Sequence, residues 1–163
     1  EKKRKLEGLK LTYVGDGNNV CNSLLFGCAL TGMHISVASP KGYEPAKEVV
    51  KKAQECAARF GSSVEVTNSV EKAAKGADVV YTDIWASMGQ EKEQQLRLKA
   101  FEGFQVNAKN MKGAKDDYIF LHCLPAHRGE EVSAEVIDGV HSVIYDEAEN
   151  RLHAQKAVMA LVM

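Results

Sequence analysis

Apolar positions along the chain fall into short runs separated by longer amphipathic stretches. Leu9 to Val14, Ile35 to Ala38, Val64 to Thr67, Val79 to Asp83 and Tyr118 to His122 are each apolar or β-branched and bounded by turn-forming residues, which predicts buried strands. Ser142 to Tyr145 is a candidate sixth. Helical spacing predicts helices over Asn19 to Thr31, stopped by Gly32, and Pro45 to Phe60, ended by Gly61. A short helix capped by Ser69 should end near Gly76, and others are expected over Gln105 to Met111 and Ser133 to Ile137. A last helix should run from about Glu149, with Ala154, Ala157, Val158 and Leu161 on one face. The highly charged Glu91 to Leu98 reads as an exposed helix or a loop. Strands alternating with helices over short links predict an α/β fold, a doubly wound parallel sheet of order 3-2-1-4-5.

Three of the strands end in polar residues. The first runs into Gly15-Asp16-Gly17-Asn18-Asn19. The fourth ends at Asp83, followed by Ile84-Trp85-Ala86-Ser87-Met88-Gly89. The fifth delivers His122, Cys123, Leu124 and Pro125, with His127 and Arg128 just beyond. In open α/β sheets ligands bind outside the carboxyl ends of the strands, where the winding reverses. In the expected order these three strands are neighbours, so one crevice is predicted.

Composition narrows the field. The 163 residues suffice for one domain, and a net charge of −1 gives no basic face for nucleic acid. The basic cluster Lys2 to Lys5 reads as a solvated end. No apolar run is long enough to span a membrane, and no apolar h-region opens the chain, so neither a membrane segment nor a secretory signal is expected. Cys21, Cys28, Cys56 and Cys123 lack metal-ligand spacing. Reduced thiols in a cytosol-like compartment are expected, and no metal or organic cofactor.

A dinucleotide is the first rival for the crevice. Gly15-Asp16-Gly17 begins like the phosphate-binding fingerprint, but Val20 stands at the third glycine, and Ser39-Pro40 replaces the acidic residue after the second strand. A small zwitterion fits better. Asp83 can pair with an ammonium, while Asn19 and backbone donors near Ser87-Met88-Gly89 can hold a carboxylate. Each has a plainer alternative: Asn19 as a helix cap, Ser87 as a turn residue.

In combination, Gly-Asp-Gly-Asn-Asn at 15 to 19, Asp-x-x-x-Ser-Met-Gly at 83 to 89 and His-Cys-Leu-Pro at 122 to 125 resemble the ornithine carbamoyltransferase family. Glu147-Ala148-Glu149-Asn150-Arg151 and His153-Ala154-Gln155-Lys156-Ala157 match as well. The resemblance covers essentially residues 1–163, as the C-terminal, ornithine-binding domain of a three-layer, Rossmann-like fold. The family's N-terminal carbamoyl-phosphate domain, with its Ser-x-Arg-Thr motif, has no counterpart here, so a part of a longer enzyme is expected.

The resemblance implies transfer of a carbamoyl group from carbamoyl phosphate to the δ-amine of L-ornithine, giving citrulline and phosphate. By the same likeness Asn19, Asp83, Ser87 and Met88 would hold the α-amino and α-carboxylate groups of ornithine. Cys123 and Leu124 would lie beside the side-chain amine and carbamoyl group, and Arg151 would reach carbamoyl phosphate. His122 is a further candidate, structural or positioning. A homotrimer or a multiple of it is implied for the complete enzyme, in the cytoplasm or mitochondrial matrix. A putrescine-using relative and a non-catalytic binding module remain alternatives.

Overall fold

The computed structural model describes residues 1–86 and 93–163. Strands β1 (Lys10–Val14), β2 (His34–Ala38), β3 (Val64–Thr67), β4 (Val79–Thr82) and β5 (Ile119–His122) form one sheet. Its order is β3-β2-β1-β4-β5, every pairing parallel, with the winding reversing between β1 and β4 as predicted. The helices are α1 (Asn19–Leu30), α2 (Lys47–Arg59), α3 (Val70–Ala74), α4 (Gln94–Ala100), α5 (Ala134–Ile137) and α6 (Ile144–Val162).

Alternation along the strands builds two cores. Leu11, Tyr13, Ile35, Val37, Val79 and Tyr81 pack with Cys21, Leu25 and Ala29 of α1 and Ala53 and Ala57 of α2. The intervening residues Val14, Ala38, Val80 and Phe120 face the other layer, where α3, α5, Val106, Met111 and Val132 cover them. Small residues bring α3 close: Ala73 and Ala74 are fully buried, and the Thr12 hydroxyl donates to the Ala73 carbonyl at 2.7 Å. Among the described residues no helix is long and apolar enough to cross a membrane.

Two predicted elements differ. Residues 105–111 form no helix: Val106 makes an isolated bridge to Val132, and 108–111 are a turn. Asparagine side chains take the backbone groups that a helix needs: Asn107 Oδ1 accepts from the Asn110 N–H at 3.0 Å, and Asn110 Nδ2 donates to the Gln105 carbonyl at 2.8 Å. The expected sixth strand shrinks to one bridge between Phe120 and Ser142, because α6 begins at Ile144, before the predicted Glu149. Residues 151–163 of that helix are exposed throughout, so the expected apolar face packs on nothing among the described residues.

Candidate functional site

Register brings the three polar strand ends together. Val14 pairs with Thr82, and Thr82 with His122, so Gly15–Asn19, Asp83 and Cys123 emerge side by side. Gly17 lets its loop approach the next one closely: its N–H donates to the Tyr43 carbonyl at 2.8 Å, and a Cβ there would stand 2.2 Å from the Pro45 nitrogen.

Asp83 is the centre of the crevice and only 7% exposed. Its Oδ2 accepts from Asn18 Nδ2 at 2.9 Å. Its Oδ1 accepts from the Ile84 N–H at 2.8 Å and from the Cys123 thiol at 3.2 Å. A carboxylate offers about four acceptor positions, so these donors leave room for a further one. Asn18 is doubly used, because its Oδ1 also accepts from the Cys21 N–H at 3.1 Å and caps α1. The cap is therefore Asn18 and not Asn19, which is the exposed first residue of α1.

Burial pushes the Cys123 thiol up to about 12, and the charge and hydrogen bond of Asp83 push the same way, against a hydrogen bond from Tyr81. At neutral pH it is a thiol that donates, not a thiolate that attacks. Below it, the Tyr81 hydroxyl donates to Glu147 Oε1 at 2.7 Å, and the His122 N–H donates to Glu147 Oε2 at 2.9 Å. Burial nevertheless raises Glu147 above the ordinary carboxylate range.

His122 belongs to the other side of the sheet and is 1% exposed. The Leu124 N–H donates to its Nδ1 at 2.9 Å, which leaves the ring proton on Nε2, 3.2 Å from Glu131 Oε1. This bond holds a turn in which Leu124 takes φ 55 and the Leu124–Pro125 peptide is cis. Asp83, His122 and Cys123 bring ligand-type atoms within 4.8 Å of one another. Both imidazole nitrogens are engaged by Leu124 and Glu131, however, and only Cys123 and Asp83 of the trio are hydrogen-bonded to each other.

The charged stretch before α4 conceals a buried group. Arg97, expected on an exposed segment, has a side chain only 9% exposed. Its Nη1 donates to Asp16 Oδ2 at 2.8 Å and to the Trp85 carbonyl at 3.0 Å, and its Cζ stands 5.1 Å from the Tyr43 ring centroid. It ties α4 to the β1 loop. Ser87 and Met88 lie outside the described residues. Arg151 is exposed on α6, one helical turn beyond Glu147, and among the described residues makes no hydrogen bond with the crevice. A groove of about 670 Å³ lies elsewhere, between residues 1–6 and α6 over Leu9, Ile119 and Leu121, with the Lys2–Asp146 pair at its rim.

Asp16, Asn18 and Glu147 stand in motifs that the sequence carries without an assigned role, and Glu131 and Arg97 are working residues that no motif marks. Asn18 sat beside the residue chosen in its place. Arg97 and Asp16 are 81 positions apart, and no local pattern joins them.

Residues 7–162 match the family described as "Aspartate/ornithine carbamoyltransferase, Asp/Orn binding domain". The chain is 58% identical over 163 residues to an ornithine carbamoyltransferase of Carboxydothermus hydrogenoformans, covering 100% of this chain and 52% of that one. Its structure is similar to that of ornithine carbamoyltransferase from Pyrococcus furiosus, with a TM-score of 0.95 and 57% identity over 99% of this chain and 52% of that one. The Gloeobacter violaceus ornithine carbamoyltransferase structure gives a TM-score of 0.91 at 51% identity, over 99% and 54%. The chain spans about half the length of the curated relatives it matches.

Proposed function

The chain belongs to the aspartate/ornithine carbamoyltransferase family, in its Asp/Orn binding domain, and from that premise we propose that it is the ornithine-binding half of an enzyme that carbamoylates the δ-amine of L-ornithine. The observation that carries this reading is Asp83, a nearly buried carboxylate held on two sides with acceptor capacity to spare. An ammonium beside it makes a charge-assisted hydrogen bond to a carboxylate that is itself only 7% exposed. Asn19, Ser87 and Met88 complete the contacts to the α-amino and α-carboxylate groups. The relatives are named for ornithine, which favours an amino acid over putrescine.

The reaction needs a neutral δ-amine, a carbamoyl carbon at attack distance and a stabilised tetrahedral oxyanion. Cys123 and Leu124 lie beside the reacting groups. Cys123, raised to about 12, acts as a neutral donor and packing group, not as a covalent nucleophile. Arg151, permanently charged and forked, reaches carbamoyl phosphate. His122 is a positioning residue, since its ring holds the Leu124 turn. No resident cofactor enters these steps.

Carbamoyl phosphate takes its other contacts from an N-terminal domain. The exposed Leu152, Val158, Met159, Leu161 and Val162 of α6 support such a partner. Assembly as a homotrimer or a multiple of it, in the cytoplasm or mitochondrial matrix and serving arginine synthesis or degradation, belongs to the same proposal and rests on the family. The deciding experiment joins this domain to the carbamoyl-phosphate domain of a relative and measures citrulline colourimetrically. Turnover with ornithine and none with putrescine is expected. Turnover with putrescine alone would overturn the assignment, and the domain by itself should make no citrulline.

A further inference from the structure

On the side of β5 away from Cys123, a fully buried carboxylate lacks a cation. Glu131 is 0% exposed. Its Oε1 accepts from the His127 N–H at 2.6 Å and lies 3.2 Å from His122 Nε2, but its Oε2 has no hydrogen-bond partner among the described residues. An anion buried in this way is costly unless a positive charge faces it. No lysine or arginine does so among the described residues, and neighbouring Arg128 is committed to Asp138 through bonds of 2.9 and 2.7 Å. What faces Oε2 is His127 Nδ1, at 3.8 Å and too far for a hydrogen bond.

The turn after His127 brings a third group. The Glu130 N–H donates to the His127 carbonyl at 3.1 Å and the Gly129 N–H to the Val132 carbonyl at 2.8 Å, folding residues 127–132 back on themselves. One ligand atom each from His127, Glu130 and Glu131 then lies within 4.8 Å of the others. We propose that these three residues bind a divalent transition-metal ion of the Zn²⁺ type. Bonds of about 2.0–2.2 Å from one ion to Nδ1 and to a carboxylate oxygen span up to ~4.2 Å, so a single ion bridges the 3.8 Å gap with little movement. One imidazole with two carboxylates favours Zn²⁺ or Co²⁺ over Mg²⁺, which prefers oxygen and water. His127 is half exposed and leaves the ion open to water. Glu131 then holds the ion with one oxygen and His122 with the other, so the ion stiffens the turn carrying Cys123 and Leu124.

The test uses chelator-treated protein titrated calorimetrically with ZnCl₂, with MgCl₂ as the competitor. Wild type and Cys123→Ser should bind one equivalent alike, so that the thiol is shown not to be the ligand. His127→Ala should weaken binding at least ~10-fold and Glu130→Gln by a smaller factor. Both side chains reach the surface, and a melt of each variant without metal checks its fold. Zn²⁺ should raise the melting temperature of wild type and leave that of His127→Ala unmoved. Absence of saturable binding below about 1 mM would overturn the proposal, as would equal binding by His127→Ala or loss of binding in Cys123→Ser.

Discussion

His122 and Cys123 are neighbours in the chain and opposites in the structure. Cys123 packs with the core under α1 and offers its thiol to Asp83, whereas His122 turns to the other layer and is sealed against Glu131. Each region has a buried carboxylate at its centre, but the two are held differently. Asp83 is ringed by an asparagine, a thiol and a backbone N–H, all neutral donors beside a crevice. Glu131 is fully enclosed and fixes a histidine ring that in turn fixes the Leu124 turn. Strand alternation lets one segment supply a ligand-facing group and its scaffold from consecutive residues. Asp83 faces the crevice with room for a substrate cation, whereas Glu131 fixes the turn behind it through Oε1 and keeps only Oε2 for an ion.

Removing the scaffold should cost most. Glu131→Ala leaves His122 Nε2 and the His127 N–H without their acceptor in the interior, and a loss of about 3 kcal/mol in urea unfolding is expected. Asp83→Ala, at a crevice that water can enter, should cost less than half of that. Equal losses would erase the distinction between the two carboxylates.

Next comes Arg97→Met, which keeps the aliphatic stem over Tyr43 and strands Asp16. The pair is mostly but not wholly buried, so about 2 kcal/mol is expected, below the ~3–5 of a fully enclosed pair. The loss should appear as loosening of the β1 loop in amide exchange, with protection in β5 unchanged.

Asp78, at the opposite end of β4, is a control that belongs to neither region. Burial raises its carboxyl, but the Lys115 ammonium at 2.6 Å and the Lys10 N–H at 2.9 Å outweigh that and hold it below 3.8. A depressed carboxyl contributes stability that is present above the unfolded value and lost as pH falls through the folded one. Asp78→Asn should therefore cost about 1–2 kcal/mol at pH 7. The gap from wild type should close as pH falls below 3.8. A gap that does not change with pH would contradict the assignment.

The smallest effect on stability belongs to Cys123→Ser, within about 1 kcal/mol. Its sharper readout is chemical. A thiol raised from 9.0 to about 12 has roughly a thousandth of the thiolate at pH 8, so iodoacetamide should label it at least ~100-fold more slowly than an ordinary exposed thiol. Asp83→Asn should speed that labelling.

The strand pattern was legible because parallel strands buried on both faces read as continuous apolar runs. All five appear with at most small shifts of their ends, and the strand order followed from alternation with helices. Asp83 and Cys123 were legible because a polar residue after a buried strand must find a partner. The turn at 108–111 was not, because Asn107 and Asn110 act through side-chain bonds that apolar spacing does not register. Asn18 was passed over because a cap and its neighbour look alike until the backbone geometry is fixed. Arg97 reads as surface among Glu93, Gln94 and Gln95, and groups distant in sequence, Asp16, Tyr43 and Trp85, bury it.

The central claim is that the carboxylate of Asp83 receives the ammonium of an amino-acid substrate. With a carbamoyl-phosphate domain joined to this one, each substrate is titrated separately against wild type and Asp83→Asn. Exchanging a charge-assisted bond for a neutral one, worth about 1.5–3 kcal/mol, should weaken ornithine ~10- to 100-fold and leave carbamoyl phosphate within about twofold. Equal weakening of both substrates, or of neither, would contradict it.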